Sequence, residues 1–168
     1  NLQATVMSFQ VAHIKKQQFE FPTNPKVLTL ARYQQIFQTA YNELAKGNVV
    51  SSCILLSMLT GRRAETFLNI SELLKHKKIL QDKLSGQYFW IISLDISDLK
   101  KFDIKDQMIN QQKSLSLPLP KTLIETLLAH DPINKSELMH CVHSIKDKLK
   151  LPVLSLDRIS SALYQLIK

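Results

Sequence analysis

The run VVSSCILLSML, from Val49 to Leu59, is the feature that most limits how this chain can fold. Its apolar side chains do not form one stripe but lie on almost every side of a helix. A helix of that kind has to be covered by other elements on most of its faces. The sequence therefore predicts a central buried helix, closed by Gly61 just past its end.

Segments with one apolar face can cover this helix. Before it, TLARYQQIFQTAYNELAKG has a helical pattern, with Thr29 as a possible N-cap and Gly47 as a stop. After it, KTLIETLLAH is helical, DPINKSEL is a turn that leads into another helix, and LSLDRISSALYQLIK is a helix behind Ser155 as its cap. The first and last of these helices place the following apolar residues at helical spacing: Leu30, Tyr33, Ile36, Phe37, Ala40, Tyr41 and Leu44, then Leu156, Ile159, Ala162, Leu163 and Leu166.

Two segments have the character of strands. YFWIISL, residues 88–94, is short and rich in aromatic and β-branched residues, which is typical of a buried strand. KSLSLPLP, residues 113–120, alternates leucine with polar residues or proline, and its prolines restrict it to the edge or end of a sheet. The sequence thus predicts an α+β fold that is mainly α-helical, with one small antiparallel sheet.

The chain divides at two prolines. Residues 1–25 have weak periodicity and end in FPTNPK, where Pro22 and Pro25 disfavour helix, so they are predicted to be a linker or N-terminal extension. Residues 26–168 are then predicted to be one domain, a length that suits a single core. Because the sequence begins at Asn1 rather than Met, we expect it to be part of a longer protein.

Basic residues outnumber acidic ones, 22 to 14, which gives a net charge of +8. This excess favours a polyanionic partner such as nucleic acid or an acidic membrane surface, although an ordinary basic protein would show it too. No apolar run is long enough to cross a bilayer, and the N-terminal charges follow the apolar residues, unlike a secretory signal. Cys53 and Cys141 offer no disulfide framework. We therefore expect a soluble cytoplasmic protein that does not act at a membrane.

Common catalytic signatures are missing. The local HCVH, residues 140–143, has no second pair of ligands at a distance, so the sequence predicts no metal site. The three glycines form no phosphate-binding fingerprint, so no cofactor is predicted either. The GxSxG signature of serine hydrolases is also absent.

An arginine pair follows the central helix. Arg62 and Arg63 lie at the junction between that helix and a short helical segment, AETFLNI. A guanidinium presents its donors in a rigid fork that suits phosphate, and a helix start adds backbone N–H donors. Arg63 is therefore a candidate phosphate ligand. The alternative is an ordinary surface arginine or one side of an ion pair.

These residues resemble a known family. LTGRRAETFLNI is similar to the first signature box of the tyrosine recombinases, or phage-type integrases, in which an apolar helix leads into Thr-Gly-x-Arg. NQQKSLSLPLPKTLIETLL resembles the strand of that family which ends in Val-Pro-Leu-Pro and runs into a helix. VLTLARYQQIFQTA and LSLDRISSALYQLIK resemble two further helices of its catalytic domain, so the resemblance extends from about Lys26 to the end.

The resemblance implies a mechanism. In the family a tyrosine attacks a DNA phosphodiester, and arginines neutralise the nonbridging oxygens in the transition state. Arg63 would be the first of these arginines, and Lys113 the general acid, with Lys105 and Asn110 as alternative positions for the family's lysine. Double-stranded DNA would be the partner, and self-association on DNA is compatible with the family. We assign backbone contacts to Arg62, Lys75, Lys77 and Lys78.

The sequence also departs from the family. Thr66 stands where the family usually has Glu, and Glu65 falls one position early. No His-x-x-Arg box occurs before Lys168, and Tyr164 lies too early to be the nucleophile. We therefore expect an incomplete or degenerate catalytic domain. Two alternatives stay open: a noncatalytic basic module for DNA or protein binding, with LLKHKKILQDKLS as its working surface, or an unrelated basic domain.

Overall fold

The computed structural model describes residues 28–93 and 114–167. Within these ranges the fold is α+β and mostly helical, with one three-stranded antiparallel sheet, which confirms the predicted class. The elements are α1 (Leu30–Ala45), α2 (Ser51–Thr60), a 3-10 helix (Ala64–Leu68), α3 (Ile70–Lys75), β1 (Ile79–Gln81), β2 (Tyr88–Ser93), β3 (Ser114–Leu119), α4 (Lys121–Ala129), α5 (Lys135–Lys148) and α6 (Leu156–Ile167). The predicted linker at residues 1–25 lies outside the described residues.

Helix α2 is the centre of the fold. Every residue of it except Leu59 is buried, so the predicted central helix is confirmed. It packs against α1, the 3-10 helix, α4, α5 and α6. The Tyr33 hydroxyl of α1 also donates a hydrogen bond to the carbonyl of Met58 (2.7 Å), and burial raises the pKa of that tyrosine. The apolar surface of α2 is thus covered by elements from both described ranges.

The predicted helix caps are present. Thr29 accepts the Arg32 N–H at 3.3 Å at the start of α1, and Ser155 accepts the Arg158 N–H at 3.3 Å at the start of α6. Gly61 has φ 68° and donates its N–H to the carbonyl of Ser57 at 2.9 Å. A left-handed backbone costs little free energy in glycine, because glycine has no Cβ. This explains why the buried helix stops at Gly61.

The sheet has β2 in its centre, with β1 and β3 at the edges. Trp90 of β2 is paired with Ile79 of β1 and with Leu117 of β3. The strands predicted at residues 88–94 and 113–120 are confirmed as β2 and β3, and β3 is an edge strand as expected. The prediction missed β1, because only three residues form it and they follow a basic segment.

The short helical segment after the arginine pair is split in two. A 3-10 helix covers Ala64–Leu68, and α3 begins at Ile70 after Asn69, whose side chain accepts the Glu72 N–H at 3.0 Å. Asp131 caps the same helix from the other described range, since its carboxylate accepts the N–H groups of Ile70 and Ser71, each at 3.1 Å. The start of α3 is therefore fixed by the turn before α5.

In the part of the chain that the structure describes, no helix is both long enough and apolar enough to span a bilayer.

Candidate functional site

The turn that carries the arginine pair is fixed by side chains of α2. Thr60 Oγ1 accepts the N–H of Arg62 at 3.2 Å and donates to the carbonyl of Leu56 at 2.7 Å. The buried Ser57 hydroxyl donates to the carbonyl of Arg62 at 2.5 Å. Together with the left-handed Gly61, these bonds determine the direction of the chain as it leaves the helix. The threonine and glycine of the Thr-Gly-x-Arg box thus both have a structural role.

Arg63 stands at the edge of the core. It precedes the 3-10 helix with an extended backbone, and its carbonyl accepts the N–H of Thr66 at 3.0 Å. After it, Ala64 and Phe67 are completely buried, and the rings of Phe67 and Trp90 form a T-shaped pair with 5.5 Å between centroids. The Arg63 side chain is 55% exposed. It therefore projects into solvent from a well-packed support.

Two carboxylates meet the Arg63 guanidinium. Its Nε lies 3.1 Å from Oδ1 of Asp157, in the first turn of α6, and its Nη2 lies 3.6 Å from Oε2 of Glu65. Glu65 is also bound by Lys135 at the start of α5, with 3.0 Å between Nζ and Oε1. We call Arg63, Glu65, Lys135 and Asp157 the charge cluster. Its formal charges sum to zero, and it joins the 3-10 helix to α5 and α6.

Arg63 has an acidic neighbour in sequence, although not at the position that the resemblance leads one to expect. Thr66 occupies the position where the resemblance leads one to expect Glu, and Glu65, one residue earlier, reaches Arg63 instead. The structure therefore contains the ion pair that the sequence analysis gave as the alternative to a phosphate contact of Arg63. Sequence reasoning did not find Lys135 or Asp157, because nothing in their local patterns indicates that they lie beside a residue so distant in the chain.

The charge cluster should make folding stability depend on pH. The hydrogen bond from Lys135, followed by the charges of Arg63 and Lys135, lowers the pKa of Glu65 below its ordinary value of 4.5. A carboxyl whose pKa is lower in the folded state stabilises the fold above the unfolded value, and this stabilisation is lost as the pH falls through the folded value. Glu43 is in the same situation, since Lys148 lowers its pKa.

We therefore expect acid to destabilise the wild type more than a Glu43→Gln, Glu65→Gln variant. The difference in the free energy of unfolding between wild type and variant should shrink by about 1–2 kcal/mol from about pH 7 to about pH 3. Urea unfolding followed by the fluorescence of Trp90, the single tryptophan, measures both proteins at each pH. Parallel pH curves for the two proteins would contradict this account.

The predicted DNA-binding lysines lie at the end of α3. Lys75 is its last residue and pairs with Glu72 at 3.7 Å. Lys77 and Lys78 close the helix: their N–H groups donate to the carbonyls of Leu74 (3.1 Å) and Leu73 (2.9 Å), and Lys77 has φ 54°. Both side chains are exposed, and neither forms an ion pair with any residue of 28–93 or 114–167. Within the described ranges, Lys77 and Lys78 therefore carry unpaired charges, whereas Lys75 is paired.

The structure does not join the two groups of predicted site residues. Arg62 and Arg63 share one turn, whereas Lys75 ends α3, a helix about 9 Å long, and Lys77 and Lys78 follow it. No hydrogen bond or ion pair between described residues links the two groups. The proposed general acid Lys113, together with Lys105 and Asn110, lies outside the described residues. Tyr164 lies in α6.

The cysteines and histidines of the described ranges form no second site. Burial raises the pKa of the Cys53 thiol to about 12 and raises that of Cys141 as well, so neither thiol supplies a thiolate near neutral pH. His140 and His143 are exposed on α5. Among the described residues, no three histidine, cysteine or acidic side chains are grouped so that they could hold a metal ion.

Comparison of the chain with known protein families, with curated proteins and with solved structures finds no match.

Proposed function

We propose that this chain binds duplex DNA and is an incomplete or degenerate catalytic domain of a tyrosine recombinase-like protein, in which Arg63 contacts a phosphate. One observation carries the proposal: a half-exposed arginine stands on a turn whose backbone is bound by Ser57 and Thr60 of the buried helix. An arginine on such a support keeps its position when a ligand arrives, which is what electrostatic stabilisation of a phosphate requires. The net charge of +8 supports a polyanionic partner.

The ion pairs of Arg63 leave room for a phosphate. They engage Nε and Nη2, and Nη1 forms no ion pair within the described ranges. Asp157 is the more weakly held partner, since its side chain is 74% exposed, and exposed pairs contribute little to stability. Glu65 is anchored by Lys135 and can keep the guanidinium oriented. A phosphate can therefore replace Asp157 while Glu65 stays in place.

The remaining residues have subsidiary roles in this proposal. Arg62, Lys75, Lys77 and Lys78 contact the DNA backbone, and Lys113 is the general acid. A tyrosine nucleophile and a His-x-x-Arg box would have to come from other parts of the parent protein. DNA cleavage and rejoining are therefore proposed for the parent and not for this chain alone.

Duplex-DNA binding, measured by fluorescence anisotropy over a salt series, tests the proposal. We expect Arg63→Ala to weaken binding about three- to tenfold and to reduce the slope of log K against log salt by about one, because one phosphate contact is lost. Arg32→Ala is the matched control, since Arg32 is an exposed arginine of α1 that contacts Gln35. It should leave the slope closer to that of the wild type.

A double-mutant cycle makes the test specific. Asp157→Asn removes the competing carboxylate and should tighten DNA binding in the wild type, but have a much smaller effect in the Arg63→Ala background. No binding by the wild type at low salt would refute the proposal. If the slope of log K against log salt is the same for the Arg63 and Arg32 variants, Arg63 does not contact the DNA.

The noncatalytic basic module is the second candidate, supported by the exposed side chains of Lys77 and Lys78, which form no ion pair with a described residue. For this candidate Lys77→Asn with Lys78→Gln should abolish most DNA binding, while Arg63→Ala has no effect. Asparagine suits position 77 because it tolerates the left-handed backbone found there.

A further inference from the structure

The connection between β1 and β2 carries an unusually exposed apolar side chain. We call residues 82–87, DKLSGQ, the hairpin tip. Leu84 lies in its middle and is 98% exposed, whereas the next most exposed large apolar side chain of the described residues, Leu30, is 58% exposed. An isolated exposed leucine is common on protein surfaces. The surroundings of Leu84 are what make this one informative.

The hairpin tip is held by hydrogen bonds that close it on itself. The N–H of Asp82 donates to the carbonyl of Gln87, and the N–H of Gly86 donates to the carbonyl of Asp82, both at 2.8 Å. The Asp82 carboxylate accepts the N–H of Leu84 at 3.4 Å and that of Ser85 at 3.0 Å. Gln87 ties the tip to the sheet, since its Nε2 donates to the carbonyl of Leu119 at 2.6 Å. Leu84 is therefore presented on an ordered turn.

Positive charge flanks Leu84. Lys83 precedes it, is exposed, and forms no ion pair with a residue of the described ranges. Lys121 Nζ lies near Gly86, only 3.3 Å from the place that a Cβ on this glycine would take. Among the described residues, Lys121 has one ion-pair partner, Glu125, at 3.7 Å. The Ser85 hydroxyl, followed by N–H groups of the tip, lowers the pKa of Asp82, so this carboxylate is held in its negatively charged form within the tip.

We propose that the hairpin tip is a wedge for duplex DNA: Leu84 inserts between two base pairs, and Lys83 and Lys121 bind the phosphates beside the inserted side chain. This inference rests on the proposed DNA-binding function and adds a DNA-deforming element to it. Proteins that bend DNA insert single apolar side chains, leucine among them, into a base step from the minor groove, with basic residues alongside. The charge of Lys83, which forms no ion pair within the described ranges, favours a polyanion such as DNA as the occupant.

An anionic membrane surface is the competing occupant and is less well supported. Membrane-bound surface elements bury a broad apolar face, whereas the tip offers one leucine between polar neighbours. A base step, in contrast, is unstacked by one inserted side chain.

Energy transfer between dyes at the two ends of a short duplex tests the wedge, in parallel with anisotropy. The wild type should bend the duplex and raise the fluorescence of a 2-aminopurine placed at the unstacked step. Leu84→Ser should remove most of the bend and weaken binding at least threefold, while the salt slope stays unchanged because no phosphate contact is lost. Lys83→Gln should lower the slope by about one.

Leu80→Ser is the matched control, since Leu80 is a 44% exposed leucine in β1. It should leave bending intact. Because Leu84 is almost fully exposed, its replacement should not alter the fold, and circular dichroism checks this. If the wild type binds no DNA, the proposed function fails and the wedge with it. If DNA binds and Leu84→Ser bends it as the wild type does, the wedge alone fails. Loss of binding to phosphatidylserine vesicles in Leu84→Ser, with DNA bending unchanged, would reassign the tip to a membrane.

Discussion

Replacing Phe67 with alanine is expected to lower the free energy of unfolding by about 3–5 kcal/mol. Phe67 is completely buried and forms a T-shaped pair with Trp90, so the shorter side chain would leave a cavity between the 3-10 helix and the sheet. Both described ranges pack on the 3-10 helix, through α2, α5 and α6, which leaves the cavity little freedom to collapse. This places the variant at the upper end of what single substitutions cost.

Urea unfolding followed by Trp90 fluorescence measures the effect, and the emission of the folded variant should also change because the ring beside the indole is lost. Phe67→Leu is the control, since it keeps most of the apolar volume and should cost about 1–2 kcal/mol. A loss below about 1 kcal/mol for alanine would show that Phe67 does not support this corner of the core. Since Phe67 lies four residues after Arg63, the alanine variant should also lose DNA affinity if Arg63 contacts DNA.

Replacing Asp131 with alanine is expected to cost about 2–3 kcal/mol. Its carboxylate accepts two N–H groups at the start of α3, from Ile70 and Ser71, and no other side chain of the described ranges is bonded to these two donors. Alanine would leave both donors without their acceptor and would release the turn before α5 from α3. The cost should exceed that of a local cap, because one side chain supplies two bonds between distant segments.

Thermal and urea unfolding of three variants separate these contributions. Asn69→Ala removes only the local cap on Glu72 and should cost about 1 kcal/mol. Asp131→Asn keeps one acceptor oxygen and should fall between the other two. Equal losses for Asp131→Ala and Asn69→Ala would mean that the long-range cap contributes no more than an ordinary one.

The sequence was sufficient to predict those elements in which the spacing of apolar residues shows which faces are buried. Helix α2 is apolar on nearly every side, and α1 has one apolar face, so both followed from spacing. Strand β1 did not, because its three residues form a strand only by pairing with β2. The start of α3 could have been found, since Asn69 followed by Glu72 is a capping pattern.

The candidate site was predictable only in part, for a similar reason. The exposed arginine after Gly61 follows from the local sequence. Its neighbours Lys135 and Asp157 do not, because the packing of α5 and α6 on the 3-10 helix brings them there. The cap formed by Asp131 is another such contact.

The position of α2 has a consequence for how the molecule opens. This helix belongs to the range 28–93, but three of its neighbours, α4, α5 and α6, belong to 114–167. If α4, α5 and α6 detach, the apolar residues of α2 become exposed to water. Partial unfolding of the range 114–167 therefore exposes the core of the range 28–93 as well. The two ranges should therefore unfold cooperatively, and the backbone amides of α2 should exchange with solvent deuterium only when the whole core opens.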